Sequence, residues 1–549
     1  MSRPNSGTPV NARTCSDIKD FLRPLHTNLD TLYKLSYRLS LSYQKLASTS
    51  FEEFFPTAIT CLPTGHETGR YLAVYVGLSY LRIAFIDLLG DQQVEGHSRV
   101  RRTLEKAWPI EERLRRDHAQ DLFTWIGDCI AEVVADSLAN PSDKMPSELT
   151  TGISFCFPVK QKSLDEATLM PTGKGFALNS DLNLRQALLS GYERHTRSLD
   201  ENDGPTPAKK RKLYCLPRLR IAAMTNDTVA TLASLAYLIP SLSNTRVVMG
   251  LITRHIRARE PDAIEALVST EWNLSSATAA PLHELGITTA WDTELDMHSQ
   301  RPGFQLFEYM VGGRYIGELV RIICYDWFHR SGGVARSELP LKLVKEYSLT
   351  TEFLSLFVAS NYSNERLASD LSKHLPPPAM SSWSWTPEFA GDVRAIASAV
   401  QDRSAALVTS AVVGLLVCTR EIQLQSPDSR SKNIDQNSHV ALNVPEQREL
   451  HSGFSSQSSW KHGPEELAVA VSGGVIQHYP HYKETVQRYI DRLILCAGPQ
   501  EGGKSVFLRE VSDGGIIGIG VLAGTASGEI GEIIGSSLQK ENASHGNSK

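Results

Sequence analysis

LAVYVGLSYLRIAFIDL, residues 72–88, is the stretch from which the rest of the chain is read. Leu72, Val74 and Val76 alternate before its turn, and Leu81, Ile83 and Phe85 alternate after it. A period of two on both sides of a short turn predicts a hairpin with one buried face. A glycine-rich, hydroxylated turn at such a place can hold phosphate oxygens, because bare backbone N–H groups approach them closely. This turn keeps only Gly77 and carries Leu78, Ser79 and Tyr80 beside it.

Outward from the hairpin the pattern is mixed. Ile18, Phe21, Leu22, Leu25, Leu29, Leu32, Leu35 and Leu39 recur at helical spacing between Asp17 and about Phe54, predicting one or two amphipathic helices. Downstream, Leu122, Phe123, Ile126, Ile130 and Val133 share a helical face within Asp121–Leu138. A strand-like GISFCFPV (152–159) follows, then a loop with TGKGF (172–176), and RIAAMTNDTVATLASLAYL (220–238) runs from strand through turn into helix. Strands alternating with helices in this way predict an α/β protein with more than one sheet. Two polar stretches, 198–214 and 426–466, hold few large apolar groups and are expected as surface inserts.

With 549 residues, 41% apolar and 21% charged, the chain is long enough for two or more domains and is not fibrous, collagenous or wholly disordered. A formal net charge of −5 supplies no general attraction for nucleic acid or anionic membrane. The eight cysteines stand singly, without CxxC pairs, which predicts reduced thiols. The apolar run near Ala405–Cys418 is shorter than the ~20 residues of a membrane span and reads as a buried helix. Residues 1–16 read as a disordered tail: Arg3 and Arg13 without acids suit a transit peptide, but Pro4, Gly7 and Pro9 break the helix one needs.

Several blocks taken in order, LPTGHETGRYLAVYVGLSYLRIAFIDL, FCFPVKQKSLDEATLMPTGKGF, MTNDTVATLASLAY, RPGFQLFEYMVGGRYIGELVR and VSDGGIIGIGVL, resemble the signature blocks of eukaryotic hexokinases from about residue 20 to 535. The resemblance implies an actin-like ATPase fold: two α/β lobes, each on a five-stranded mixed sheet, with sugar and nucleotide meeting in the cleft between them. On that plan residues 17–66 form helices packing on the large lobe, 67–226 the small lobe, 227–523 the large lobe, and 524–549 a helix returning to the small lobe with a tail. Phosphoryl transfer to a sugar hydroxyl requires a carboxylate to take the proton, a magnesium ion on the phosphates and donors around the transferring group. The resemblance assigns the base to Asp227 in MTNDT and sugar contacts to Lys174, Asn226, Glu271 and Glu308. Asn226-Asp227 also suits a helix cap.

The departures from the family pattern cluster. Cys156, Gly173 and Ala258 stand where the family has Ser, Thr and Asn, removing three side-chain hydrogen bonds of about 0.5–1.5 kcal/mol each. The family's magnesium-holding Asp and its Gly-Gly-Thr-Asn turn correspond to Tyr75, Gly77, Leu78, Ser79 and Tyr80, with Arg82 just beyond. Its second phosphate loop is replaced around Thr253, Arg254 and His255, while Asp513-Gly514 persists on the adenosine side. Loss of one donor from a transition-state clamp costs on the order of a hundred- to a thousand-fold in rate. The expected function is therefore a hexokinase-like protein without useful turnover, acting as a regulator or sugar-status sensor. Atypical fungal hexokinases are similar and imply control of the carbon-starvation response and secreted proteases. An active ATP-dependent hexose kinase using Mg-ATP is the alternative, and a ligand-free scaffold the third reading. On the first reading no cofactor is expected and no residue is assigned to a metal.

PAKKRKL (207–213) resembles a nuclear import signal through Lys209, Lys210, Arg211 and Lys212. Nuclear or cytoplasmic residence is expected, with mitochondrial association the alternative. The partners expected are a hexose, regulatory proteins of transcriptional control and an import receptor. Neither nucleic acid nor a membrane is expected, since no helix-turn-helix, zinc spacing or basic helix accompanies the patch.

Overall fold

A computed structural model describes residues 17–50, 53–59, 62–91, 99–116, 118–138, 146–170, 176, 178, 181–196, 216–239, 251–252, 267–270, 274–299, 301–360, 362–427 and 466–527. After a helical turn at Ile18–Phe21, α1 (Leu29–Thr49) starts where the Asn28 side chain accepts from the Thr31 N–H at 2.8 Å. Then come β1 (Thr68–Val76), β2 (Tyr80–Leu89), β3 (Val100–Pro109), α2 (Ala119–Ser137), β4 (Glu148–Phe155), α3 (Leu184–Glu193), β5 (Arg218–Asn226) and α4 (Asp227–Leu238). These strands form a five-stranded sheet ordered β3-β2-β1-β4-β5, antiparallel over its first three strands and parallel at β1-β4 and β4-β5. The predicted hairpin is present with Val76 opposite Leu81, Val74 opposite Ile83 and Tyr75 opposite Arg82.

The alternation in β1 has both faces to fill. Leu72, Val74 and Val76 pack with Leu122, Phe123 and Ile126 of α2 and Leu184 and Leu188 of α3. On the opposite face Ala73, Ala84 and Ala223 leave room for α4 and for the helix formed by residues 514–527. Helices on both faces make this lobe three layers deep.

The second lobe is mainly helical among the described residues. It contains α5 (Leu306–Val311), α6 (Gly313–Tyr325), the long α7 (Pro387–Cys418), β6 (Glu466–Val471), α8 (Tyr482–Ala497) and β7 (Ser505–Glu510), after which α9 (Gly514–Ser527) packs back on the first lobe. Its strands fall into a parallel β6-β7 pair and a separate antiparallel ribbon of Phe55–Pro56, Leu267–Ser269 and Leu251–Ile252, rather than one continuous five-stranded sheet among the described residues. By length and composition α7 could cross a membrane, but 78% of its most apolar window is buried inside the protein. Leu32, Leu35 and Leu39 of α1 join Leu407, Val412 and Leu416 of α7 in one core, which is where the predicted N-terminal helix packs. Deep in that core Arg403 pairs with Asp292 through two hydrogen bonds of 2.6 and 2.8 Å, with both side chains almost fully buried.

The return of the C-terminal segment to the small lobe begins at Gly514, ten residues before the boundary read from sequence. The reason is close packing. A Cβ on Gly518 would sit 1.6 Å from the Ala230 carbonyl oxygen, and one on Gly152 would sit 2.3 Å from that of Ile519. Glycine alone lets α9 lie this near α4 and β4. Among the described residues Cys129, Cys324, Cys418 and Cys496 stand outside any disulfide, in keeping with their spacing.

Candidate functional site

The junction of β5 and α4 brings Asn226 and Asp227 to the end of the small-lobe sheet. Asn226 caps the helix: its Oδ1 accepts from the Thr228 N–H at 2.8 Å, while its Nδ2 donates to the Phe157 carbonyl at 3.3 Å. Both ends of that amide are thus engaged, which holds the junction rigid. Asp227, the first residue of α4, faces a cavity of about 120 Å³ shared with Tyr75, Thr231, Ser472, Gly473 and Gly515. Ser472 and Gly473 follow β6 of the large lobe, so the cavity lies where the two lobes meet.

Tyr75 decides the shape of this cavity. It lies on the face of β1 toward α4 and α9, packed against the cluster that includes Val229 and Ile516. A Cβ on Gly77 would approach the Tyr75 Cε1 at 2.9 Å, and one on Gly515 would approach Cε2 at 2.9 Å and Cδ2 at 3.0 Å. The ring therefore fits between the two glycines, contacted at opposite edges. Burial, reinforced by the neighbouring Asp227 carboxylate and opposed by Arg82, pushes the phenol well above its ordinary range. The hydroxyl stays protonated and offers no negative charge to a cation.

The turn itself is closed inward. The Gly77 N–H donates to the Tyr80 carbonyl at 3.0 Å, and Leu78 packs against the small-lobe core. Ser79 and Tyr80 are exposed. Beside the turn, Arg82 Nη1 donates to Asp513 Oδ1 at 2.6 Å and its Nε to Glu105 Oε1 at 2.9 Å. Arg102 reaches Asp513 at 2.7 Å and Glu105 at 3.1 Å. Burial raises the Asp513 carboxyl, but its bonds to Arg82 and the charges of Arg82 and Arg102 together outweigh burial and hold it below the usual carboxylate range. Asp513, at φ 58, is in the left-handed region, and its carbonyl accepts from the N–H groups of Ile516 and Ile517 as α9 begins. Gly514 lies so close to Thr231 that a Cβ would meet its Cγ2 at 2.8 Å.

The predicted residues thus divide. Tyr75, Gly77, Asp227 and Asn226 gather at the mouth of the small lobe, with Arg82, Asp513 and Gly514 beside them. Cys156 is buried in the small-lobe core, its N–H donating to the Val76 carbonyl at 3.0 Å. Glu308 stands on α5 in the large lobe, accepting from Gln305 Nε2 at 2.8 Å. Gly173, Lys174, Lys209, Lys210, Arg211, Lys212, Thr253, Arg254, His255, Ala258 and Glu271 lie outside the described residues. Sequence reasoning missed Arg102, Glu105, Gly473 and Gly515. An Arg-x-x-Glu run in a solvated strand looks ordinary, and only folding brings it to Asp513.

Comparison with known proteins places the chain in a family. Two family models described as Hexokinase match residues 17–237 and 243–525. Mouse Hexokinase HKDC1 is 28% identical over 320 residues, covering 55% of this chain, and the chain spans only 31% of that protein's length. The Hexokinase of Schistosoma mansoni is 31% identical over 333 residues, 58% of this chain and 65% of that one. The solved hexokinase from Schistosoma mansoni complexed with glucose matches with a TM-score of 0.68 at 23% identity, covering 92% of this chain and 98% of that one. That likeness carries the fold, an actin-like ATPase architecture of two α/β lobes. With family matches running over nearly its whole length, the chain belongs to the hexokinase family.

Proposed function

We propose that this hexokinase-family protein acts as a regulator or sugar-status sensor and does not turn over Mg-ATP. The observation that supports this reading is the Tyr75 ring between Gly77 and Gly515. Small-molecule sites occupy about 300–1,000 Å³, and the cavity left beside Asp227 is about 120 Å³. The groups that would serve a magnesium triphosphate are also spent: the Gly77 N–H is bonded within its turn, and the Asp513 carboxylate accepts from two arginines. These residues do not fit the nucleotide that the family implies, so no catalytic step is derived through it. The ligand proposed is a hexose, since glucose is bound by the Schistosoma mansoni hexokinase. Regulatory partners, control of carbon-starvation responses and entry to the nucleus through Lys209, Lys210, Arg211 and Lys212 belong to the same proposal.

A second reading, an ATP-dependent hexose kinase with Asp227 as base, draws support from the retained Asn226-Asp227 junction and from relatives that are hexokinases. A coupled ADP-release assay with glucose, fructose and mannose separates the two. Turnover that Asp227→Ala abolishes establishes the kinase and overturns the regulator. No turnover, together with a glucose-dependent melting shift, supports the sensor; no shift at tens of millimolar leaves the scaffold. Replacing the four cations at 209–212 with Ala and imaging a fusion tests the nuclear address, and an unchanged distribution removes it.

A further inference from the structure

The most exposed large apolar side chain among the described residues is Met380, at 98%. It ends the stretch Leu375-Pro376-Pro377-Pro378-Ala379-Met380, which follows the helix Asn364–His374 and leads toward α7. Covalent geometry sets the shape of the middle of this stretch. Each proline ring holds φ at about −65°, and Pro376 and Pro377 each precede another proline, which disfavours the helical region for both. What remains is one turn of polyproline II, a conformation without internal hydrogen bonds. Tertiary contacts then pin the two ends. Leu375 is buried, its N–H donating to the Leu371 carbonyl at 2.8 Å and its carbonyl accepting from Trp385 Nε1 at 2.8 Å. Beyond the prolines the Ser381 N–H donates to the Pro378 carbonyl at 2.9 Å, and Ser381 Oγ donates to the Glu338 carbonyl at 2.9 Å.

Between those pins the ridge is open. Pro376 and Pro378 are exposed, and the carbonyls of Pro376 and Pro377 accept no hydrogen bond among the described residues. A ridge already held in one conformation loses little entropy when a partner docks. Apolar groups flank it on two sides. Ser382 Oγ donates to Glu338 Oε1 at 2.7 Å, which brings the neighbouring loop alongside, and three residues after Glu338 stands Leu341, 69% exposed. At the other end the His374 ring packs on Phe357 with centroids 4.5 Å apart, in a π-helical turn whose Leu356 is 59% exposed. A single exposed apolar side chain is ordinary, but several gathered about one rigid ridge mark an interaction surface.

The geometry points to a docking ridge for a WW-type domain, whose aromatic-walled groove takes the proline pair and whose ring N–H or O–H groups donate to the free carbonyls. A groove that reads Pro-x-x-Pro is excluded, because the third residue after Pro376 is Ala379 and after Pro377 is Met380. Met380 then covers the edge of the groove. The ridge shares no residue with the interlobe cavity at Asp227 and stands whichever reading of that cavity holds. Surface plasmon resonance tests it, with the full chain immobilised and a set of WW domains in solution, each run beside a variant whose groove Trp is replaced by Ala. Saturable binding with Kd below about 1 mM, lost with the groove Trp, is expected. Replacing Pro376 and Pro377 together with Ala should weaken it at least about tenfold, and so should Met380→Lys. Met380 is almost wholly in solvent, so its substitution leaves the fold intact and decides the matter if the proline variant misfolds. No saturation by about 1 mM with any of the domains, equal binding by the groove variants, or undiminished affinity in Met380→Lys overturns the assignment.

Discussion

Gly515 and Tyr75 offer a direct test of the proposal that a ring fills the family's phosphate site. Gly515 is a helical residue of α9, where Ala is ordinarily favoured over Gly by about 1 kcal/mol. Here an added Cβ would meet the Tyr75 ring at 2.9 and 3.0 Å. The ring cannot recede freely, because its opposite edge lies against Gly77. Overpacking of this kind costs about 1–3 kcal/mol. Gly515→Ala in the wild-type background is therefore expected to run from neutral to about 2 kcal/mol destabilising after the helix gain is subtracted. With Tyr75→Ala the obstacle is gone, and the same Gly515→Ala should become stabilising by about 1 kcal/mol. Urea unfolding of the four proteins closes a double-mutant cycle whose coupling should be about 1–3 kcal/mol. Additivity within about 0.5 kcal/mol would refute the placement of the ring between the two glycines, and with it the main support for an inactive nucleotide site.

Other expectations follow from neighbouring contacts. Asp513 has its pKa depressed in the folded state by Arg82 and Arg102, so its contribution is full above the unfolded carboxylate range near ~4 and is lost as pH falls through the folded value. The stability gap between wild type and Asp513→Asn should be constant from pH 7 to about 5 and narrow below about 4, measured by urea midpoints; a gap that widens in acid contradicts the pairing. Asp292→Ala leaves Arg403 charged and buried, which should cost about 3–5 kcal/mol in thermal or urea unfolding. A loss under about 1 kcal/mol would mean that the pair is solvated. Gly518→Ala, with a Cβ at 1.6 Å from the Ala230 carbonyl, should reach the upper end of overpacking, about 3 kcal/mol or more, and expose α9 to proteolysis. Unchanged cleavage would show that α9 docks differently.

The local pattern carried much of the fold. Alternation in Leu72, Val74, Val76 and Leu81, Ile83, Phe85 was enough for the hairpin, because a strand buried on its core face admits only one register. The helical periodicities of 17–54 and 121–138 were equally plain. The mixed sheet order and the division of the large-lobe strands were not, since strand pairing depends on contacts far apart in sequence. Asn226-Asp227 was legible as both cap and site, and the cap is present.

The sequence by itself, through its resemblance to hexokinases, set Tyr75, Leu78 and Tyr80 where that family carries the charge and the glycines of a phosphate turn. It also determined the family, through ordered blocks that chance does not assemble. Only the tertiary structure decided what those substitutions do. The hazard of a bulky ring in β1 is relieved by Gly515, and Asp513 is drawn into a network with Arg82, Arg102 and Glu105; both partners come from elements hundreds of residues away from the hairpin. A side chain's type is local, but whether its polar atoms are satisfied depends on the three-dimensional neighbours it acquires.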